Sequence, residues 1–187
     1  MRKRLTTVWL VVGALPALIA CARTRQASAE AGVQARVITT PLYDAQGREV
    51  GTVTARQRGA TFQVRVTASS LPAGTHGAHL HDAGECVAPS FLTAGPHLNP
   101  TARQHGTRNP NGPHLGDLPN LVVGSDRRGT MEASVVGSFA PGVAPISDAN
   151  GTALIVHAGA DDMVSDPSGN SGARIACAVL AAPAATR

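Results

Sequence analysis

The sequence predicts an all-β domain, a sandwich or barrel of about eight short strands. Three observations carry this. Apolar residues recur with period two in short stretches, no segment carries a helical apolar stripe of useful length, and 20 glycines and 13 prolines punctuate the chain with turns. Hydrophobic residues make up 43% and charged ones 15%, enough apolar material for one packed domain within 187 residues.

The chain opens on Arg2, Lys3 and Arg4, followed by a 13-residue apolar run, Val8 to Ala20, interrupted by Gly13 and Pro16. A basic start before so short a run reads as a secretory signal peptide over residues 1–20, too short to span a bilayer. Its end, Leu18-Ile19-Ala20-Cys21, resembles a bacterial lipobox. Cleavage before Cys21, with a diacylglycerol on its thiol, predicts an exported cell-envelope lipoprotein; an ordinary signal peptide cut slightly later is the alternative. Residues 21–32 have no apolar face and read as a lipidated flexible tether, leaving a domain over residues 33–187. Cleavage also removes three basic side chains, including Lys3, the only lysine, so the net charge falls from +4 to +1. With aromatics at 3%, that excludes nucleic acid as a partner.

From Val33 the pattern alternates. Val33, Ala35, Val37 and Thr39 alternate with Gln34, Arg36 and Ile38; Val50, Thr52 and Thr54 with Gly51, Val53 and Ala55; Phe62, Val64 and Val66 with Gln63, Arg65 and Thr67. Turn signals at Asp44-Ala45-Gln46-Gly47 and Arg58-Gly59 separate these strands. Further strands are expected at Ala78 and Leu80, Leu121 to Val123, Met131 to Val136, Ala153 to Val156 and Ile175 to Leu180. Residues 83–118 and 158–173 break the rhythm as long Gly/Pro/Asn-rich loops, and loops of that length are usually functional.

Seven histidines punctuate this frame. His79 and His81 are two apart, so a strand points both to one face, half of a transition-metal site. His157 ends the apolar strand Ala153 to Val156 and can point back toward them. His76 stands at an odd offset from His79 and is expected to point elsewhere, as a hydrogen-bonded core residue. His97, His105, His114 and Asp117 share the first long loop. Three imidazoles and a carboxylate can close a tetrahedral zinc site and order that loop, or they can be solvated surface groups. If Cys21 carries lipid, Cys86 and Cys177 remain as a pair in an oxidising compartment. A bridge between them would close a loop of roughly 90 residues; two separate buried thiols are the alternative.

Several segments then resemble the secreted bacterial copper/zinc superoxide dismutases. They are Gly74-Thr75-His76-Gly77-Ala78-His79-Leu80-His81, Ala94-Gly95-Pro96-His97-Leu98-Asn99-Pro100, His114-Leu115-Gly116-Asp117-Leu118, Leu154-Ile155-Val156-His157-Ala158-Gly159-Ala160-Asp161-Asp162 and Gly172-Ala173-Arg174-Ile175-Ala176-Cys177. They fall in the family's order over roughly residues 33–181. The resemblance implies an eight-stranded Greek-key barrel, an immunoglobulin-like sandwich with two long functional loops. It implies an oxidoreductase that dismutes superoxide to dioxygen and hydrogen peroxide by a copper redox cycle, with structural zinc, protecting the cell envelope from exogenous superoxide. One copper per subunit would be held by His79, His81, His97 and His157, and one zinc by His97, His105, His114 and Asp117, so that His97 bridges the two. Asp161 would link His79 to His105, Arg174 would guard the copper channel as the catalytic anion-holding group, His76 would be a structural hydrogen-bonder, and Cys86 and Cys177 would form the intrasubunit disulfide.

The chain departs from the family in three places. The loop 158–173 is shorter than in the eukaryotic enzymes and holds Asp161, Asp162 and Asp166 but no lysine or glutamate, so the family's steering charges have no clear counterparts. Ser168 stands where many members have threonine. The extra segment Val87-Ala88-Pro89-Ser90-Phe91-Leu92 contributes to subunit contacts in some members, which leaves monomer or homodimer open. Two other classes also stay open: a non-catalytic copper- and zinc-binding lipoprotein, and a hydrolytic zinc enzyme. The first has no need of Arg174, and the second would need a general base for which no spare group is suitably spaced.

Overall fold

The computed structural model describes residues 36–137 and 148–181. The signal peptide, the tether with Cys21, and Val33 to Ala35 of the first expected strand lie outside these residues. Nine strands occur among the described residues: β1 (Val37–Asp44), β2 (Glu49–Arg58), β3 (Thr61–Ala68), β4 (Gly74–His76), β5 (Ala78–His81), β6 (Leu121–Val123), β7 (Gly129–Val136), β8 (Thr152–His157) and β9 (Arg174–Ala181). The only helical element among the described residues is a 3-10 turn, Leu92–Ala94.

Every pairing is antiparallel, in the order β4-β6-β7-β3-β2-β1-β9-β8-β5. β4 and β5 stand at opposite ends of that order yet are separated in the chain by Gly77 alone. The backbone therefore joins the two ends and the sheet becomes a nearly closed barrel. This also explains nine strands where eight were expected: residues 74–81 bend at Gly77 and pair with β6 on one side and β8 on the other. A Cβ on Gly77 would stand 2.8 Å from the Ser171 Cβ and 3.2 Å from the His79 ring, so the bend leaves no room for a side chain.

The expected turns form at both places, with the Asp44 and Gly47 amides donating to Arg48 and Asp44 carbonyls at the first. The structure also fixes the phase of each alternation. Phe62, Val64 and Val66 of β3 face inward, as do Val53 and Ala55 of β2. In β1 the inward set contains Ile38 and Leu42, and Val37 is 48% exposed.

Both faces of β8 are covered. Leu154 and Val156 join the barrel core with Leu80, Ala176 and Ala178, whereas Ala153 and Ile155 pack outside the wall with Phe91, Ala94 and Cys177. Period two then places His157 on the outer face with Ala153 and Ile155. In β5, Ala78 and Leu80 likewise enter the core, which sets His79 and His81 on the outer face. The site thus stands on a rigid barrel wall beneath the two long loops. Cys86 of the first loop is joined to Cys177 of β9 by a disulfide spanning 91 residues, with the Cα atoms 5.8 Å apart.

Candidate metal centre

Six of the seven histidines gather outside the barrel wall with Asp117 and Asp161. His79, His81, His97, His105, His114 and His157 are all buried. The ladder reaches into the loops here, through isolated bridges between His79 and Asp117 and between His81 and His97. His76, the seventh, is buried in β4; its Nδ1 lies 2.8 Å from the His157 carbonyl and its Nε2 3.0 Å from the Pro72 carbonyl, away from the cluster.

Four rings form the first group. His81 Nδ1 donates to the Gly95 carbonyl at 2.8 Å, and His157 Nδ1 to the Gly172 carbonyl at 3.0 Å. His79 Nε2 lies 2.9 Å from Asp161 Oδ2. In these three rings the nitrogen that faces the oxygen carries the proton, so the other nitrogen of each ring presents a lone pair. Those other atoms, His79 Nδ1, His81 Nε2 and His157 Nε2, are buried without any hydrogen-bond partner, and so is His97 Nε2. Ligand atoms of these four residues lie within 4.8 Å of one another. An orphaned buried acceptor is costly, and four converging on one point are the donor set of a soft-to-borderline metal ion. Burial opposes protonation here, drawing His79 and His157 down to about 4 and His81 to about 2. The rings are therefore neutral at physiological pH.

The second group is built differently. Asp117 Oδ1 lies 3.0 Å from His97 Nδ1, 3.0 Å from His105 Nδ1 and 3.3 Å from His114 Nδ1, and His114 Nδ1 lies 3.4 Å from His97 Nδ1. Ligands about 2.0–2.1 Å from a tetrahedral zinc stand about 3.3–3.4 Å apart, close to these spacings. His79 also approaches His97, His105 and Asp117 within 4.8 Å. Its free Nδ1 already belongs to the first group, and His114 joins the second through contacts of 3.3 Å with Asp117 Oδ1 and 3.4 Å with His97 Nδ1. Asp117 Oδ2 accepts the Gly106 and His114 amides at 2.8 and 2.9 Å. Burial alone would raise the Asp117 carboxyl, but these hydrogen bonds and the imidazoles outweigh it and hold the group at about 2.

Asp161 spans both groups, with Oδ2 on His79 Nε2 and Oδ1 3.0 Å from His105 Nε2. Gly169 gives it space: a Cβ there would stand 1.8 Å from Asp161 Oδ1, and its φ is +62°. Arg174, opposite His157 in the β8–β9 ladder, donates from Nη1 to the Phe91 carbonyl and from Nη2 to the Gly95 carbonyl, both at 2.7 Å. Gly95 is the same carbonyl that holds His81, so guanidinium and imidazole share one anchor. A cavity of about 460 Å³ reaches this centre and is lined by His97, His114, Arg103, Asp82, Asp148 and Asp166. A larger one of about 620 Å³, on the outer wall of β2, β3 and β7, touches none of these histidines.

The structure brings His79, His81, His97, His105, His114, Asp117, His157 and Asp161 together here with Arg174 beside them, and three further contributors emerge. Asn120 exchanges two 2.9 Å hydrogen bonds with the Asp161 backbone; Asp166 Oδ1 accepts the His105 amide at 2.6 Å; the Phe91 carbonyl holds Arg174. None belongs to a ligand pattern, and each acts by a contact across loops that spacing does not encode. Arg103 and Arg108 of the first long loop donate to the Gly112 and Asp162 carbonyls respectively.

The comparisons with known proteins agree with this geometry. Residues 49–180 match the family model of copper/zinc superoxide dismutase. The chain is 36% identical over 144 residues to the Cu-Zn superoxide dismutase 2 of Aquifex aeolicus, covering 74% of this chain and 83% of that one. The crystal structure of a SOD-like protein from Bacillus subtilis superposes with a TM-score of 0.72 at 38% identity, over 76% of this chain and 97% of that one. The Cu/Zn superoxide dismutase from Brucella abortus does so with a TM-score of 0.60 at 27% identity, over 78% and 99%. The chain belongs to the copper/zinc superoxide dismutase family, an oxidoreductase family whose cofactors are copper and zinc.

Proposed function

We propose that the chain dismutes superoxide to dioxygen and hydrogen peroxide, with copper held by His79, His81, His97 and His157 and zinc by His97, His105, His114 and Asp117. The observation that carries this is the convergence of four orphaned imidazole nitrogens beside a guanidinium held by two carbonyls. Bound copper supplies reversible one-electron exchange, and zinc, which has no redox chemistry, supplies charge and loop order. His97 offers Nδ1 to one group and Nε2 to the other, and Nε2 is the ring atom placed to carry a proton to the reduced product. Asp161 fixes the ring orientation of His79 and His105. Arg174 is always charged and holds the small anion beside His81. A protein that only stores metal has no use for that anion site, which favours turnover. The assay is superoxide removal after loading with copper plus zinc, zinc alone, or neither; activity is expected only with copper present.

The same proposal extends to location. A lipid on Cys21, after removal of residues 1–20, would tether the enzyme to a membrane of the cell envelope, where it would meet exogenous superoxide. Cys21→Ser removes the acceptor thiol, and the protein is expected to leave the membrane fraction or to accumulate as an unprocessed precursor. Unchanged size and membrane association in fractionated cells would overturn the anchor.

A further inference from the structure

Phe91 lies in the left-handed region, at φ +54° and ψ +23°. Glycine enters that region freely; a bulky side chain does so only under constraint. The constraint is the ring. It is 1% exposed and packs with Ala94, Ala153, Ile155 and Cys177, whereas Val87 and Leu92 beside it are exposed. The Cys86–Cys177 disulfide ties the same loop to the same strand. Turned this way, the Phe91 carbonyl accepts Arg174 Nη1 while Gly95 accepts Nη2. With one carbonyl on each Nη atom, the planar guanidinium is held in one orientation, and it shares the Gly95 carbonyl with His81.

We propose that Phe91 is a positioning residue for Arg174: its buried ring holds a strained turn whose carbonyl aims the guanidinium at an incoming anion. This rests on the reading of Arg174 as the anion-holding group. A residue that merely fills the outer cluster would add stability and leave anion affinity alone. A positioning residue sets the affinity.

Two measurements test this. Azide, a small anion, is titrated into the protein loaded with copper and zinc and followed by the copper(II) absorption. Separately, the rate at which phenylglyoxal labels Arg174 in the metal-free protein is read by mass spectrometry. Phe91→Ala is expected to weaken azide about tenfold, the scale of one lost hydrogen bond to a charged group, and to speed Arg174 labelling severalfold, with metal content and disulfide unchanged. Phe91→Leu, which fills more of the pocket, is expected to shift both roughly two- to threefold the same way, and it carries the test if Phe91→Ala does not fold. Arg174→Ile is titrated alongside. If it leaves azide affinity intact, the anion reading of Arg174 fails and the proposal with it. If it weakens azide while the folded Phe91 variants keep wild-type affinity and labelling, only the role of Phe91 is overturned.

Discussion

The two halves of the metal centre are made from different materials. The His79, His81 and His157 side stands on β5 and β8, with each ring oriented by a carbonyl or carboxylate and its free nitrogen kept dry. The His105, His114 and Asp117 side is carried by a loop, and its groups contact one another directly around a single carboxylate oxygen. The first arrangement is fixed by barrel geometry before any ion arrives. The second is fixed by charge, and an ion would supply the order that residues 99–114, with no buried apolar side chain, do not get from packing. The strand side suits an ion whose chemistry demands constant ligand placement, and the loop side suits an ion that organises structure.

The most severe break in this comparison is on the strand side. His81→Ala removes one oriented nitrogen and leaves the loop groups whole. It is expected to abolish dismutase activity while zinc remains stoichiometric by elemental analysis. Near-normal activity in that variant would overturn the copper assignment. The reciprocal break is Asp117→Ala, which withdraws the oxygen shared by three imidazoles and the acceptor of two amides. Zinc affinity is expected to fall by more than about a hundredfold, beyond the range seen for outer partners alone. Copper, followed by its absorption, stays bound. Loss of both metals together would mean that the strand side is not independently organised.

The sequence exposes these halves unequally, for a physical reason. Period-two spacing sets His79 and His81 on one face, and the apolar run before His157 carries it to the neighbouring strand, so the strand side follows from backbone geometry. Nothing comparable ranks His97, His105 and His114, where only the residue types and the family resemblance indicated a site. The break at Gly77 was hidden because a closing strand reads like any other until its two pairing partners are known. The phase of β1 was hidden because Val37 and Ile38 are both apolar and only the wall decides which turns inward. Asn120 acts on the backbone of a remote loop and Phe91 offers its own carbonyl to the Arg174 side chain, contacts that no local sequence pattern marks.

A milder change sharpens the link between the halves and their substrate. Among the described residues Arg103 and Arg108 are tied to loop carbonyls, and Asp82, Asp148 and Asp166 line the cavity that Arg103 shares. Those carboxylates offset positive potential there, and Arg174 is the guide proposed for a small anion. Arg174→Ile is expected to slow superoxide capture about tenfold, with metal content unchanged, and to flatten the dependence of the rate on ionic strength. Distributed steering predicts the opposite: a variant that keeps its rate and its full salt slope.

The smallest effect concerns acid, measured on the metal-free protein. His79 and His157 are held near 4 and His81 near 2, first by burial, against about 6.5 in an unfolded chain. Below about 6.5 the unfolded chain takes up protons that the folded strand side refuses, so these rings favour unfolding as pH falls from 6.5 toward 4. Asp117 and Asp161 are held near 2 against 3.8, so their contribution is complete above about 3.8 and fades only as pH falls toward 2. The strand side should therefore lose stability first. Thermal melts of the metal-free domain between pH 7 and 4.5 are expected to show a falling midpoint. Substituting Gln for His81 should make that decline shallower, whereas Asp117→Asn should leave its slope above pH 4.5 nearly unchanged. A decline that disappears in the Asp117 variant and persists in the His81 variant would place the acid-sensitive groups on the wrong side of the centre.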